Sequence, residues 1–233
     1  MRQAHGLRWA AVAAGLALLA AAGLAQEKRQ AIRFGDIMLS NYAKAELELG
    51  VSAMAKGPDT TVDATDPKSG AQARLQAQSI TAFLVPKARN EVERVEAVGA
   101  VRFWSSRAAE GVQGRQTVKA TGTKGIYYKV EERLSLTGPL TFEAEQPSAG
   151  GKGAEKVTGS AEKAEYDAGK RSLTLTGHVE ATVVTPDTPA EGSTFSGDSV
   201  RIDMRSRPYK VYIDNPSMDG SIKIRFKEQD KKP

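Results

Sequence analysis

The sequence predicts an all-β protein whose antiparallel strands form an internally repeated array, and two observations support this prediction. Residues 95–101, 134–140 and 173–179 share one pattern, and equivalent positions lie 39 residues apart in successive copies. Repeats of roughly 20 to 50 residues are typical of stacked architectures. Within each copy, apolar and polar side chains alternate with a period of two, as in a strand that buries one face. Antiparallel sheets commonly leave the other face in water, so antiparallel pairing is expected.

A glycine interrupts the strand pattern of every copy, at Gly99, Gly138 and Gly177. A glycine inside a strand usually marks a bulge or a sharp bend. We therefore expect each glycine to be a corner where one long strand passes between two facing sheets. A second strand precedes the corner strand in each copy, for example residues 159–166, which a turn at residues 167–170 closes. Tyr127 and Tyr166 also keep the interval of 39 residues.

Divergent copies extend the array at both ends. Residues 44–53 alternate apolar and polar side chains, and we interpret them as strand although their composition also suits a helix. After the third copy, the alternation returns at Val200, Ile202, Met204, Val211 and Ile213, and again at Ile222, Ile224 and Phe226. Polar stretches rich in Gly, Pro, Asp or Ala predict loops at residues 56–74, 146–156 and 186–193.

The N-terminus has the three-part layout of a secretory signal peptide. Arg2 and Arg8 give a short basic region, an apolar run covers residues 9–24, and small residues precede a cleavage point before Gln26. The alternative is an uncleaved membrane anchor, but a 16-residue helix spans only ~24 Å of a ~30 Å hydrocarbon core. The prediction is one domain at residues 26–226, followed by a disordered tail at 227–233.

Composition excludes several classes of function. Removal of residues 1–25 lowers the formal charge from +5 to +3, a mild excess that suits a polyanionic partner without requiring one. No block of Lys and Arg is interleaved with aromatic residues, so nucleic acid is not an expected partner. The absence of cysteine excludes a disulfide, a thiolate nucleophile and a lipoprotein anchor.

Candidate catalytic and metal-binding residues are few. His178 is the one histidine after residue 25, and its place beside Gly177 predicts an outward-facing, solvated side chain rather than a member of a triad. A single histidine without cysteine does not make a zinc site, and the acidic residues between 198 and 219 lack calcium-loop spacing. We therefore expect no enzyme and no cofactor. Paired carboxylates that cleave glycosides remain open, because their pairing occurs in space.

The repeat resembles that of a known family. Ala164-Glu165-Tyr166-Asp167 followed by residues 173–179 is similar to the OstA-like repeat of the periplasmic lipopolysaccharide-transport proteins, which include a bridge component and its membrane-tethered relative. Residues 126–128 with 134–140 match nearly as well, and residues 196–202 are similar to the element that opens a further copy. The resemblance covers residues 77–213 well and 32–62 loosely.

The resemblance implies an open β-jellyroll, in which two sheets form a V-shaped section around an apolar groove. It also implies a periplasmic location and three kinds of partner: lipopolysaccharide bound through lipid A, other jellyroll proteins of the transport bridge, and further copies of this chain stacked head to tail. The expected groove lining is the apolar face of the long strands, namely Val101, Phe103, Leu134, Leu136, Leu140, Phe142, Leu173, Leu175, Val179 and Val183. The alternative, that these side chains fill a closed core, remains equally open.

Unpaired strands at the two ends of such an array offer backbone groups to a partner strand. The candidates are Ile32, Phe34, Ile37 and Leu39 at one end, and Ile222, Ile224 and Phe226 at the other. Besides lipid transport, two functions remain as alternatives: a scaffold protein of the cell envelope without lipid, and an envelope hydrolase.

Overall fold

The computed structural model describes residues 31–67, 69–86, 88, 91–109, 113–148, 153–186, 192–205 and 210–214. These residues form twelve strands and no helix. The strands are β1 (Ala31–Phe34), β2 (Ile37–Ser40), β3 (Lys44–Glu48), β4 (Ser52–Thr65), β5 (Gln72–Leu84), β6 (Val92–Ala108), β7 (Arg115–Tyr128), β8 (Arg133–Pro147), β9 (Ala154–Asp167), β10 (Ser172–Val184), β11 (Ser193–Asp203) and β12 (Lys210–Asp214). Within the described ranges, no helix is long and apolar enough to cross a membrane.

All twelve strands belong to one antiparallel sheet. Its order is β1-β2-β4-β5-β6-β7-β8-β9-β10-β11-β12, and β3 pairs with β4 beside this path. From β4 onward, each strand pairs with the next one along the chain, as a repeat of long hairpins requires. No pairing joins β1 to β12 among the described residues, so the sheet does not close on itself. The predicted all-β, antiparallel and open fold is confirmed.

A row of bulges crosses the sheet from β4 to β11 at one level. Every pairing between these strands has a register shift there, for example between Val98 and Val101 in β6 and between Thr137 and Leu140 in β8. Gly99, Gly138 and Gly177 lie in this row with φ of 83°, 101° and 78°, a left-handed conformation that glycine adopts readily. The three glycines are therefore corners, as predicted.

The bulges divide the sheet into two leaves. The first leaf contains β3, β12 and one part of each strand from β4 to β11. In β4 this part is residues 52–56, and in β11 it is residues 199–203. The second leaf contains β1, β2 and the other part of each strand from β4 to β11. In β4 this part is residues 60–65, and in β11 it is residues 193–197. Eight strands are therefore shared by both leaves, which makes the row of bulges a common spine.

The two leaves face each other across one apolar core. The ring of Phe103, in the second-leaf part of β6, lies 6.4 Å from the ring of Tyr166, in the first-leaf part of β9. Three strand spacings within one flat sheet would separate them by roughly 14 Å. The contact therefore crosses the space between the leaves, and the section has the V shape that was expected. Buried apolar side chains from all strands between β4 and β11 form a single cluster in this space.

The predicted loop at residues 56–74 is wrong for most of its length. β4 continues to Thr65 and β5 begins at Gln72, so only residues 66–71 connect them. The polar composition arises because one face of the second leaf is in water, where Asp63 and Arg74 form an ion pair. Residues 44–53 form a hairpin rather than one strand, since the chain turns at residues 49–51 and leaves Leu49 92% exposed. The predicted strand at Ile222 to Phe226 lies outside the described residues.

Close packing of β8, β9 and β10 gives a first prediction. A Cβ atom at Gly159 would collide with the carbonyl oxygen of Glu180 and lie 2.7 Å from the ring of Phe142. Gly159→Ala is therefore expected to lower the free energy of unfolding by roughly 1–3 kcal/mol, as overpacking does in a well-packed core. Urea unfolding followed by circular dichroism measures the change.

The matched control is Gly169→Ala in the turn before β10, where the nearest atom to an added Cβ is Asp167 Oδ1 at 3.5 Å. This variant is expected to stay within about 0.5 kcal/mol of the unmodified protein. Equal stability of the two variants would contradict the described packing of Gly159.

Candidate functional site between the leaves

A cavity of about 750 Å³ opens between the strand ends of the two leaves, opposite the row of bulges. The second leaf contributes Ala73 and Phe103, and the first leaf contributes Tyr127, Leu134 and Tyr166. The volume lies within the range of roughly 300–1,000 Å³ that is typical of ligand pockets. The cavity is therefore large enough for part of an apolar ligand and is continuous with the core that the leaves enclose.

The cavity narrows sharply toward the interior. A second space of about 20 Å³ lies behind it and has Val62, Leu75 and Val95 in its lining. That volume is close to the smallest that holds one water molecule, about 10–15 Å³. Phe103, Tyr127 and Leu134 line both spaces, so they lie between the wide opening and the packed interior.

The predicted groove residues all lie in the core, with exposures between 0% and 7%. Phe103 and Leu134 line the cavity, whereas the other eight pack inside the leaves: Val101, Leu136, Leu140, Phe142, Leu173, Leu175, Val179 and Val183. In this conformation the interior is filled by protein side chains. Contact of these residues with a lipid stays a prediction.

The two aromatic lining residues that the sequence analysis does not assign to the groove are tyrosines. Tyr127 and Tyr166 lie on β7 and β9 of the first leaf, at equivalent positions of successive repeats. Burial raises the pKa of Tyr127 to about 12, and the nearby carboxylates of Glu132 and Asp36 act in the same direction. Burial also raises the pKa of Tyr166. Both phenols are therefore neutral at physiological pH, and their rings extend the apolar lining. The signal in the sequence that could have pointed to these two tyrosines is their spacing of 39 residues, which equals the repeat length.

The rim of the cavity is polar and carries contacts between the leaves. Lys129 Nζ lies 2.5 Å from Asp36 Oδ1, which joins the β7–β8 turn of the first leaf to the β1–β2 turn of the second. Arg107 of the second leaf donates from Nη1 to the carbonyl oxygen of Ala168 in the first leaf, at 3.0 Å. Three basic residues, Arg107, Lys129 and Arg171, are matched by three acidic ones, Asp36, Asp66 and Glu132. The rim therefore has no formal charge excess.

Buried polar side chains continue from Arg107 along the inner side of the second leaf. Arg107 Nε donates to Gln116 Oε1 at 3.1 Å, and Gln146 Nε2 donates to Glu155 Oε2 at 2.9 Å. Gln116, Gln146 and Glu155 are only 1–3% exposed. This polar row crosses β6 to β9 at the open side of the V, so the apolar lining ends there.

The candidate edge residues lie at the expected end of the sheet. Ile32 and Phe34 are on β1, which pairs only with β2 among the described strands. Ile37 and Leu39 are on β2, which is paired on both sides, so their strand offers no free edge. Ile222, Ile224 and Phe226 fall outside the described ranges. At that end, β12 and the second-leaf part of β11 are the last strands described.

His178 lies at a corner rather than at the cavity. Its side chain is 92% exposed, and Nδ1 is 2.7 Å from Glu162 Oε1. In the part of the chain that the structure describes, no group of three or more His, Cys, Asp and Glu side chains has the arrangement of a metal site.

Fold and cavity together define a class of protein: an open, two-leaf antiparallel sheet with an apolar interior that is accessible from one side. Residues 106–209 match the family model described as lipopolysaccharide-assembly, LptC-related. The match begins in β6 and ends just before β12. It confirms, for this part of the chain, the resemblance to lipopolysaccharide-transport proteins.

A solved structure with a similar chain is that of LptH from Pseudomonas aeruginosa, described as the LptA-homologous periplasmic component of the conserved lipopolysaccharide transport device. Its sequence is 15% identical, the TM-score is 0.31, and the match covers 80% of this chain and 94% of that one. No curated protein matches this chain.

The buried phenol of Tyr127 gives a pH-dependent prediction. Because its pKa rises from 10 to about 12 on folding, its contribution to stability is complete below pH 10 and is lost as the pH rises through about 12. Tyr127→Phe is expected to reduce the loss of stability across this interval. Thermal unfolding at a series of alkaline pH values measures it, with phenolate absorbance as a direct readout of ionisation.

Tyr128→Phe, on the next residue of β7, is the matched control, because it leaves the buried phenol of Tyr127 in place. It is expected to keep the alkaline loss of stability that Tyr127 causes. If both variants behave alike, Tyr127 is not the group responsible.

Proposed function

We propose that this protein transports lipopolysaccharide across the periplasm and shields the acyl chains of lipid A between its two leaves. The main observation behind this proposal is the apolar space between the leaves, which opens on one side through a cavity of about 750 Å³. The family match over residues 106–209 supports lipopolysaccharide as the class of ligand. The export signal expected at residues 1–25 supports a periplasmic location, with an inner-membrane tether if that segment is not cleaved.

Such transport requires that the acyl chains stay out of water, and the apolar lining of the cavity meets this requirement. At ~0.8 kcal/mol per CH₂ group, exposing one 12-carbon acyl chain to water costs roughly 10 kcal/mol. A lining of Phe and Tyr rings and the Leu134 side chain replaces that water. Apolar contact is non-directional, so a chain held in this way can slide along the interior without breaking specific bonds. The proposed role needs no bond to be made or broken, and the protein acts as a carrier rather than an enzyme.

The ends of the sheet suit stacking on other proteins of the same fold. In the described part of the chain, the first leaf has ten strands, β3 to β12, and the second also has ten, β1, β2 and β4 to β11. The second leaf is thus displaced by one strand toward the N-terminal end. A neighbour stacked head to tail would place its β3 against β12 and its β1 against β11.

Strand directions agree with this stacking. β12 runs from the open side of the V toward the bulges, and β3 runs the opposite way. The second-leaf part of β11 and β1 are related in the same manner. Both leaves would therefore continue as antiparallel sheets, with backbone groups at each edge completing hydrogen bonds. The partner is another jellyroll protein of the transport bridge or a second copy of this chain.

A scaffold role without lipid is the second candidate, because the interior is packed. The predicted groove residues have exposures of 0% to 7%, as expected for a filled core. Lipid binding then has to displace contacts between these side chains, whereas a scaffold needs only the edge strands of its sheet to bind neighbouring proteins.

Native mass spectrometry of residues 26–233, purified without detergent from a lipopolysaccharide-producing host, separates the two candidates. Transport predicts adducts with the mass of lipid A-containing molecules. Ala73→Trp places an indole in the cavity and is expected to lower occupancy about tenfold or more. The control is Arg102→Trp, because Arg102 is 64% exposed on the outer face of β6 and lines neither the cavity nor the inner space. A chain that stays bare when lipopolysaccharide is added would favour the scaffold.

Head-to-tail contact is testable by disulfide formation, since the chain has no cysteine. Glu46→Cys on β3 and Tyr212→Cys on β12 are exposed and central to the two first-leaf edges. Mixing the two variants under oxidising conditions is expected to give the mixed dimer in excess of either homodimer, measured by mass spectrometry.

The control for this contact is Thr141→Cys, on the exposed face of β8 in the middle of the second leaf. It is expected to form no more mixed dimer with either variant than random collision gives. Equal yields from all mixtures would contradict stacking through β3 and β12.

A further inference from the structure

We infer that the cavity between the leaves is the portal through which an acyl chain enters from the side, and that Phe103, Tyr127 and Leu134 form a gate that closes the interior behind it. This inference rests on the proposed function and adds where the lipid enters and what must move. The portal lies between β4, β5 and β6 of the second leaf and β7, β8 and β9 of the first.

The gate residues follow from the two spaces that they separate. Phe103, Tyr127 and Leu134 line the outer cavity of about 750 Å³ and also the inner space of about 20 Å³. Phe103 belongs to the second leaf, whereas the other two belong to the first. A chain that passes from the cavity toward Leu75 and Val95 therefore displaces side chains contributed by both leaves.

Buried polar groups restrict the portal to one part of the open side. The row of Arg107, Gln116, Gln146 and Glu155 lies along the second leaf from β6 to β9. An acyl chain that entered there would separate hydrogen-bonded amide and carboxylate groups, and burying them without partners is costly. On the side of β4 and β5, the lining consists of Ala64, Ala73 and exposed polar residues such as Thr65 and Gln72, so an entering chain meets solvated polar side chains there rather than buried ones.

Contacts at the rim hold the portal closed and are of the kind that breaks easily. The Lys129–Asp36 pair is 30% and 38% exposed, and ion pairs at such sites contribute little to stability. Arg107 adds one hydrogen bond to the Ala168 carbonyl. These two contacts are called the latch here. The latch joins the leaves through side chains and one carbonyl, with no strand pairing between the leaf ends it connects.

The row of bulges provides the hinge for opening. In every pairing from β4 to β11, the ladder is interrupted at the same level. Bending there moves the leaves apart while the pairs within each leaf remain. Positive φ at Gly99, Gly138 and Gly177 places the most permissive backbone at this line. Opening therefore breaks the latch, the gate packing and the contacts of Tyr166 with Ser105 and Phe103, but leaves both sheets intact.

A cross-link between the leaves tests the inference directly. In the double variant Asp36→Cys and Lys129→Cys, a short bismaleimide joins the two sides of the latch, and the absence of native cysteine makes the reaction specific. Fluorescently labelled lipopolysaccharide is the probe, and its uptake is followed by stopped-flow fluorescence. Cross-linking is expected to slow uptake about tenfold or more, compared with the same variant before reaction.

The control cross-link lies within one leaf. Lys119→Cys and Glu143→Cys are on neighbouring strands of the second leaf, where the native side chains are 3.0 Å apart. Cross-linking this pair is expected to leave uptake unchanged. Equal uptake by both cross-linked proteins would overturn the portal while leaving the proposed function intact. Failure of the unmodified chain to take up the probe would overturn the proposed function, and the portal with it.

Gate variants give a second, independent readout. Phe103→Ala removes a ring from the gate and is expected to speed uptake severalfold. Phe195→Ala makes the same change on β11, at a partly buried position that lines neither space and is not one of the predicted groove residues. It is expected to leave the uptake rate near that of the unmodified chain. Equal acceleration by both variants would indicate general loosening of the core and would overturn the gate.

Discussion

The row of bulges that crosses β4 to β11 is the constraint on which the rest of the structure depends. Each of these strands buries one face, and that face needs an apolar surface to pack against. The protein provides the surface by folding a single sheet over on itself, because every strand bends at the same level. Apolar alternation continues on both sides of the bend, so both leaves present their apolar face to the same space. One repeated backbone feature thus produces the two leaves, the core and the opening between them.

Folding a sheet in this way leaves two features that a closed barrel lacks. Among the described residues, the strand ends opposite the bulges have no ladder between them, so side chains such as Arg107 and Lys129 make the contacts that a barrel would make through its backbone. Each leaf also keeps two edges, and edges are normally shielded in soluble proteins. In the described part of the chain, the leaves end one strand apart at both ends. This step provides two strands for pairing at each end and fixes the direction in which a neighbour can stack.

Local features of the fold were predictable from the sequence, and non-local ones were not. Alternation and the glycine spacing predicted the antiparallel strands and the corners at Gly99, Gly138 and Gly177, because both act within a few residues of the chain. The composition of residues 56–74 predicts a loop because a strand whose outer face is in water is as polar as many loops. The cavity depends on β6 of one leaf meeting β9 of the other, a contact between residues that are far apart in the chain. The sequence therefore indicates that Tyr127 and Tyr166 are equivalent positions of a repeat, but it does not indicate that they line the cavity.

A packed interior is compatible with a transport role if separating the leaves costs less free energy than burial of the acyl chain releases. A 12-carbon chain gains roughly 10 kcal/mol on leaving water, at ~0.8 kcal/mol per CH₂. Against this stand one partly exposed ion pair, one hydrogen bond to a carbonyl, the side-chain hydrogen bond between Ser105 and Tyr166, and the packing of the gate side chains, including Phe103 against Tyr166. Exposed ion pairs contribute about 0–1 kcal/mol and a typical hydrogen bond about 0.5–1.5 kcal/mol. The remaining cost is the separation of apolar side chains, and the incoming chain replaces those contacts with its own. A packed interior also keeps the apolar faces of the leaves from water, which a permanently open groove would not do.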